Sequence, residues 1–154
     1  MSKRARTHSR KSSETRILIP VGTVVDRRKI AEFLSAVLAF RNPEVILFHI
    51  IEAPSRTTPM DAEAYRGEMN AAESRLRPLV EWLRQQDLAV SLRIGVARNV
   101  AEAIVSEANT GAYRFIFLMK RRAPKGWRRM FRKSVTERVI RDARSFVISS
   151  LAEI

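Results

Sequence analysis

The residues of this chain that could do chemistry are its cations. Its 154 residues include 29 Lys and Arg against 16 Asp and Glu, a formal net charge of +13 at pH 7. Eight cations fall in one acid-free stretch of fourteen residues: Lys120, Arg121, Arg122, Lys125, Arg128, Arg129, Arg132 and Lys133. Five more lie in residues 1–11, so the rest of the chain is neutral. A neutral body with one concentrated basic segment indicates where an anionic partner binds.

This segment, residues 120–133, is called the basic loop, and it also contains apolar residues. They are Trp127, Met130 and Phe131. Arg and Lys bind phosphates and carboxylates, while aromatic rings stack or insert beside them. Ser134 and Glu137 form a capping-box pattern, which predicts a helix N-terminus with free N–H donors next to the cations. The basic loop and Ser134 are therefore the predicted anion- or partner-binding surface, and the alternative is a solvated loop.

Catalytic and metal-binding machinery is missing from the sequence. The chain has no cysteine, and its two histidines, His8 and His49, have no acids clustered beside them. The spacing of metal ligands is therefore absent. His49 lies within an apolar run, which favours a hydrogen-bonded core residue. Ser134 is explained as a helix cap and Ser149 and Ser150 as strand residues, so we expect no catalytic residue, no metal and no enzymatic activity.

The elements that position the basic loop alternate between strands and helices. Five apolar runs have the length of buried strands, at residues 16–21, 44–52, 89–96, 114–119 and 145–151. Capping residues and helical periodicity predict four helices, starting at Asp26, Thr58–Pro59, Asn99 and Ser134 and ending after Leu38, near Gln86, at Gly111 and near Arg141.

This alternation predicts a three-layer α/β sandwich, with a five-stranded parallel sheet and helices on both faces. The loops after Val21, Ala97 and Met119 then leave the carboxyl ends of the strands, where such sheets bind ligands. The length fits a single domain over residues 16–154, preceded by a disordered basic arm over 1–15. No apolar run approaches the roughly 18 residues of a membrane span. We expect a cytoplasmic protein that can associate peripherally with a membrane.

Three stretches of the chain resemble the universal stress protein family. Ile17–Val21 resembles its first strand, Leu47–Ile51 resembles its second, and Met119–Ile140 can be laid without a gap along its nucleotide loop. The resemblance spans residues 16–151 and implies the strand order 3-2-1-4-5. It also implies a homodimer through the last strand, where Val147 and Ile148 suit pairing although Phe146 replaces the family's usual proline.

The resemblance places the family's nucleotide-site positions at Gly22, Arg98, Lys120, Ala123, Lys133 and Ser134. Gly22 occupies a position where the family has an acid. The next four of these residues occupy positions where the family has glycines, so Ser134 is the only position at which this chain retains the family's residue. Glycines let a backbone approach phosphates without a Cβ and adopt positive φ, which costs other residues about 1–2 kcal/mol. The replacements imply a member without a cofactor, with ATP as the alternative.

Three functions are compatible with these observations. The first is a regulatory or interaction module whose basic loop, assisted by the arm, engages an acidic protein or an anionic membrane surface. The second is binding of ATP or another phosphorylated ligand through side-chain cations. The third is nonspecific nucleic-acid binding, which predicts a steep loss of affinity with salt.

Overall fold

The computed structural model describes residues 15–25, 27–54, 61–119 and 129–149, with the backbone alone for 129–134 and 149. The strands are β1 (Thr15–Pro20), β2 (Pro43–Glu52), β3 (Ala89–Ala97), β4 (Phe115–Leu118) and β5 (Phe146–Ser149). The helices are α1 (Arg27–Leu38), α2 (Arg66–Arg84), α3 (Val100–Thr110) and α4 (Arg129–Asp142). The predicted alternation is confirmed, and every strand boundary agrees with its prediction to within two residues.

The sheet has the predicted order, β3-β2-β1-β4-β5, and all its pairings are parallel. β1 lies at the centre, with Leu18 opposite Ile46 of β2 and Ile116 of β4. The chain winds from β1 towards β3 and then from β4 towards β5, so the strand order reverses between β1 and β4. The loops that follow β1 and β4 therefore leave the sheet side by side.

Both faces of β1 are buried, which explains why its sequence is continuously apolar. Ile17 points to one face and packs in a cluster with Phe33 of α1. Leu18 points to the other face and packs with Ile104 of α3 and Val139 of α4. Each apolar strand thus needs a helical layer on either side.

The apolar stripes predicted for the helices form their buried faces. In α1 the buried residues are Ile30, Phe33 and Val37, whereas Leu38, in the last turn, is 54% exposed. In α2 they are Ala72, Leu76, Leu79, Val80 and Leu83. Burial of such stripes supplies most of the stability of helices of this length.

The start of α2 differs from its prediction. The helix begins at Arg66 rather than at Thr58–Pro59, which lie outside the described residues. Local turns precede it, because the Asp61 carboxylate accepts a hydrogen bond from Glu63 N at 3.0 Å and Tyr65 N bonds back to Ala62 O at 3.3 Å. Short Asx bonds of this kind compete with helical bonds and delay the first helical turn.

The start of α4 also corrects its prediction. The helix begins at Arg129, so Ser134 lies inside it and is not the N-cap. The residues from 129 to 133 are Arg, Met, Phe, Arg and Lys, which include good helix formers and no Gly or Pro to stop the helix. A Ser-x-x-Glu pattern carries no start signal when the helix already continues upstream. The helix ends at Asp142, one residue beyond the predicted end.

The ends of α3 agree with their prediction. The Asn99 side chain accepts a hydrogen bond from Glu102 N at 3.0 Å, and Gly111 is the C-cap. The left-handed residue, however, is Ala112, with φ 54°, whereas Gly111 has φ −88°. Gly111 is needed for space, because a Cβ there would overlap the Tyr113 ring and lie 2.9 Å from Glu107 O.

A polar cluster lies at the amino ends of β1 and β2 and extends to Arg93 in the middle of β3. The Tyr113 hydroxyl donates to the Glu107 carboxylate at 2.7 Å, and Arg93 pairs with the same carboxylate. The Arg16 guanidinium lies 4.7 Å from the centre of the Tyr113 ring, and its Nε lies 3.4 Å from a carboxylate oxygen of Glu44. This cluster joins β1, β2, β3 and α3 at the edge opposite the basic loop.

The two residues that end α3 should respond in opposite ways to exchange of Gly and Ala. We expect Gly111→Ala to lower the free energy of unfolding by about 1–3 kcal/mol, because the added methyl group overpacks against Tyr113. Ala112→Gly should raise it by about 0.5–1 kcal/mol, because relief of the left-handed strain exceeds the entropy gained by the unfolded chain. Urea unfolding of both variants checks this, and equal effects at the two positions would contradict it.

Tyr113 should make stability fall at high pH. Burial, followed by the hydrogen bond to Glu107, raises the pKa of Tyr113 from 10.0 to about 12. Because the folded-state pKa is the higher one, this stabilisation is fully present below pH 10 and is lost as the pH rises through 12. We expect Tyr113→Phe to cost about 1 kcal/mol at pH 8. The difference in the free energy of unfolding between this variant and the parent protein should become smaller towards pH 12. Urea unfolding at several pH values measures this difference.

Candidate anion-binding edge

The carboxyl ends of the strands form the edge from which the predicted site residues emerge. Here the chain leaves β1 through residues 21–25 and leaves β3 through Arg98 and Asn99. After β4 it enters the basic loop at Met119. The parallel sheet brings these three exits to one side of the molecule, here called the carboxyl edge.

His49 holds the first of these exits. Its Nδ1 donates to the Val21 carbonyl oxygen at 2.9 Å, while Val21 N donates to Phe48 O at 2.9 Å. The interpretation of His49 as a hydrogen-bonded residue is therefore confirmed, and His49 is partly buried. Two hydrogen bonds to β2 thus set the path of the loop after β1. Gly22 is the next residue of this loop.

The structure describes two of the six family nucleotide-site positions with their side chains. Gly22 is partly buried in the loop after β1, and Arg98 is exposed just before the Asn99 cap of α3. Both lie at the carboxyl edge, as the resemblance implies. An Arg side chain thus occupies the exit where the family has a bare glycine backbone.

The basic loop itself is described in part. Lys120, Arg121, Arg122, Ala123, Lys125 and Arg128 lie outside the described residues. Arg129, Arg132, Lys133 and Ser134 belong to the backbone of α4. Because Ser134 lies inside α4, the free N–H groups predicted at Ser134 are not found there. The loop leaves β4 beside β1, and its role in binding stays a prediction.

Three further cations at this edge were missed by the sequence analysis. Arg27, Arg28 and Lys29 form the first turn of α1, which contains no acid. Further along the same helix, Phe33 stacks on Phe117 of β4 with ring centres 4.8 Å apart. The sequence signal for these cations was the consecutive run Arg-Arg-Lys. It was missed because acids elsewhere in the chain balance these charges, so the net charge outside the arm and the basic loop is zero.

The carboxyl edge carries charges of both signs. Asp61 and Glu63 precede α2, and the cations of α1 follow the loop after β1. Arg27 places its guanidinium 5.9 Å from the centre of the Trp82 ring, which connects the first turn of α1 to α2.

The first turn of α3 is tied to α4 by an ion pair. Arg138 donates to the Glu102 carboxylate at 2.8 Å, and its Nε lies 3.7 Å from a carboxylate oxygen of Asp142. The acid in the first turn of α3 is thus already paired. This contact joins α4 to the first turn of α3.

A surface groove lies along the outer strand β3. This open groove of about 470 Å³ is lined by Met69, Leu92 and Ile94 together with charged residues of α2. Nearby, the hydroxyl of the buried Tyr65 finds no hydrogen-bond partner among the described residues. The groove was not predicted from the sequence, and its charges are mixed.

Over the residues that the structure describes, no three His, Cys, Asp or Glu side chains come together as a metal site. None of the helices in the described ranges has the length and apolar character needed to cross a bilayer.

The fold defines a class of protein, a doubly wound parallel α/β domain with a five-stranded sheet and helices on both faces. The model of the universal stress protein family matches residues 14–148. The chain belongs to this family.

Solved structures share the fold. The protein MJ0577 is 19% identical, with a TM-score of 0.73 over 92% of this chain and 99% of its own. A universal stress protein from Archaeoglobus fulgidus in complex with dAMP is also 19% identical, with a TM-score of 0.56 over 89% of this chain and 98% of its own. One from Arabidopsis thaliana with AMP bound is 14% identical, with a TM-score of 0.55 over 88% and 90%. No curated protein matches the sequence.

The bond from His49 to Val21 generates a prediction about the loop after β1. His49→Leu should leave the Val21 carbonyl without its donor, costing about 1–3 kcal/mol. It should also speed amide exchange in residues 22–25. His49→Asn, whose side-chain N–H₂ can donate from a similar position, is the matched control and should retain most of the protection. Exchange measured by mass spectrometry that is equally fast in both variants would contradict this role.

Proposed function

We propose that this universal stress protein is a cytoplasmic regulatory or interaction module that engages an anionic partner through its basic loop. In this proposal it neither catalyses a reaction nor binds ATP in the manner of its nucleotide-binding relatives. The observation that carries it is the replacement of four glycines at the family's nucleotide positions, three of them by cations. Arg98, exposed at the exit of β3, is the replacement whose side chain the structure describes.

The loss of glycine removes the chemistry of a phosphate cradle. Backbone N–H groups surround a phosphate only where no Cβ intervenes and where positive φ is cheap. Lys120, Ala123 and Lys133 carry a Cβ at three of these positions. Lys and Arg side chains bind anions equally well from an open surface, so the replacements favour contact with a large partner.

Helix dipoles strengthen the field at this edge. α1 and α4 both begin here, and neither has an acid in its first turn. Cations at a helix N-terminus oppose the positive end of the dipole and repel one another. A bound anionic surface would relieve both unfavourable terms.

The outer edge of β5 supports a homodimer as part of the proposal. Phe146 is 71% exposed and Ile148 is 37% exposed, and among the described strands β5 pairs with β4 alone. Pairing of two β5 strands would cover these side chains and join the unpaired backbone groups. Two basic loops would then belong to one assembly.

A second candidate is binding of a nucleotide or another phosphorylated ligand through side-chain cations. It is favoured by the relatives that hold dAMP and AMP and by the retained Ser134. Arg and Lys replace backbone donors in this version. This second candidate uses the same carboxyl edge, but it requires a pocket that encloses the ligand.

Titration calorimetry with ATP and magnesium separates the two candidates. We expect no binding heat from the natural chain at micromolar ligand, because four glycines and the acid of the family site are replaced. A variant that restores them, with Gly22→Asp, Arg98→Gly, Lys120→Gly, Ala123→Gly and Lys133→Gly, should gain ATP binding.

A control variant in the same experiment tests the effect of removing charge alone. A variant with neutral replacements at the same positions, Lys120→Gln, Lys133→Gln and Arg98→Gln, removes the cations without restoring the backbone, and it should remain unable to bind ATP. Micromolar affinity in the natural chain would overturn the proposal in favour of the second candidate. ATP binding by the glutamine variant would show that the glycines are not the cause.

A further inference from the structure

The outer edge of β3 is long and lacks the features that protect an exposed strand. Among the described strands, β3 pairs with β2 alone, so its other edge is unpaired. Its nine residues contain no proline, and its one charged side chain, Arg93, pairs with the Glu107 carboxylate. Edge strands usually carry proline, a bulge or free charges, because unpaired backbone groups bind other strands. The edge of β3 is therefore open to pairing.

The direction of the backbone groups shows which residues of β3 offer hydrogen bonds. Ala53 N donates to Ala97 O at 2.9 Å, so the carbonyl of Ala97 faces β2. Since successive residues of a strand alternate in direction, the even-numbered residues point their N–H and C=O groups outwards. The first of them, Val90, has its carbonyl bound by Arg84 at 3.1 Å. The open stretch is centred on Ile94 and consists of Leu92, Ile94 and Val96.

The helical wall of the groove along β3 has an alternating order of charges. Acid, base, amide, acid and base follow one another along α2 and the turn before it, as Glu63, Arg66, Asn70, Glu73 and Arg77. The first four line the groove, and Arg77 lies one turn beyond, 3.8 Å from Glu73. In the reverse direction the same order places a base opposite each acid and the amide opposite itself. The wall is thus complementary to a copy of itself that runs the other way, with Asn70 at the centre.

We propose that β3 of one copy pairs antiparallel with β3 of a second copy, about a twofold axis that passes beside Ile94 and Asn70. Both residues line the same groove, so the centre of the open backbone stretch coincides with the centre of the charge order. A twofold contact requires such a surface, because each residue i that meets j must also find j meeting i. The contact joins the two sheets into one and covers the apolar lining of the groove.

The register follows from the open stretch. Leu92 lies opposite Val96 of the partner subunit, and Ile94 lies opposite its own equivalent. Arg93 lies opposite Gly95 of the partner subunit, which has no side chain. Like charges therefore do not face one another across the two strands, where they would be destabilising.

The charged residues of the wall keep their present partners in this contact. Glu63 pairs with Arg66 and Glu73 with Arg77 within one copy, and all four side chains are more than half exposed. Exposed ion pairs contribute little and leave room for further partners. The second copy gives each charge another neighbour of opposite sign.

A second copy fits this surface better than a segment of one charge or a helix. A wholly basic segment would meet Arg66, and a wholly acidic one would meet Glu63 and Glu73. A helix would leave the backbone groups of Leu92 and Ile94 without partners. The contact lies at the other edge of the sheet from β5, and it does not depend on the proposed function.

Cross-linking tests the position of the axis. The chain contains no cysteine, so a single introduced one reports the contact. Asn70→Cys should cross-link two copies through a short bismaleimide, because the two residues meet at the axis. The matched control is Glu68→Cys, which is exposed on the same helix but does not line the groove, and it should not cross-link. Equal cross-linking at both positions, or none at residue 70, would overturn the inference.

Charge exchange tests the complementarity of the wall. One variant, Glu63→Arg with Glu73→Arg, makes the wall wholly basic, and another, Arg66→Glu with Arg77→Glu, makes it wholly acidic. Each variant alone should self-associate about tenfold more weakly or worse, because like charges then face one another. A mixture of the two should form a heterodimer, as measured by sedimentation velocity.

Two controls make the charge exchange specific. All chains carry Phe146→Lys, which places a charge at the outer edge of β5, so that association through that strand does not contribute. Glu32→Arg with Glu68→Arg changes the net charge as much as the basic variant does, at exposed acids outside the wall, and should leave self-association unchanged. A parent chain that stays monomeric, or a mixture that does not associate, would refute the contact.

Discussion

Burial of β1 on both faces is the constraint on which the rest of the structure depends. Ile17 and Leu18 are fully inaccessible, one facing α1 and the other facing α3 and α4. A strand with two apolar faces needs two helical layers, and parallel crossovers of one hand supply them. The same crossovers send every strand in one direction, so the exits after β1 and β4 meet at the middle of one edge. The position of the basic surface is therefore a consequence of how the core is covered.

The chemistry of that edge differs from a phosphate cradle in how it presents positive charge. A cradle uses partial charges of backbone N–H groups in a concave turn, which suits one small anion. In the proposed function, whole charges on long side chains such as that of Arg98 take its place, which suits many anions spread over an area. The fold is the same in both cases, and the residue types at the edge would decide what it binds.

The fold and part of the edge could be predicted from the sequence, because their signals are local. Continuous apolar runs identified the five strands, and Asn99 with Glu102 identified the start of α3. The starts of α2 and α4 were wrong, since Ser134 and Thr58–Pro59 satisfy capping patterns that do not exclude a different start. The cations of α1 were missed because a net charge hides a local cluster. The groove along β3 could not be foreseen, since Leu92 and Ile94 have the same sequence signature whether or not another strand covers them.

The polar cluster at the amino ends of the strands has a consequence for how this protein can change over evolution. Arg16, Glu44, Arg93, Glu107 and Tyr113 connect three strands to α3, and none of them belongs to the exits at the carboxyl edge. Charges and glycines at the working end can therefore be exchanged without dismantling the contacts that hold the sheet and helix together at the other. Because the binding edge and the polar cluster are separate, a domain of this kind can change its ligand during evolution and retain its fold.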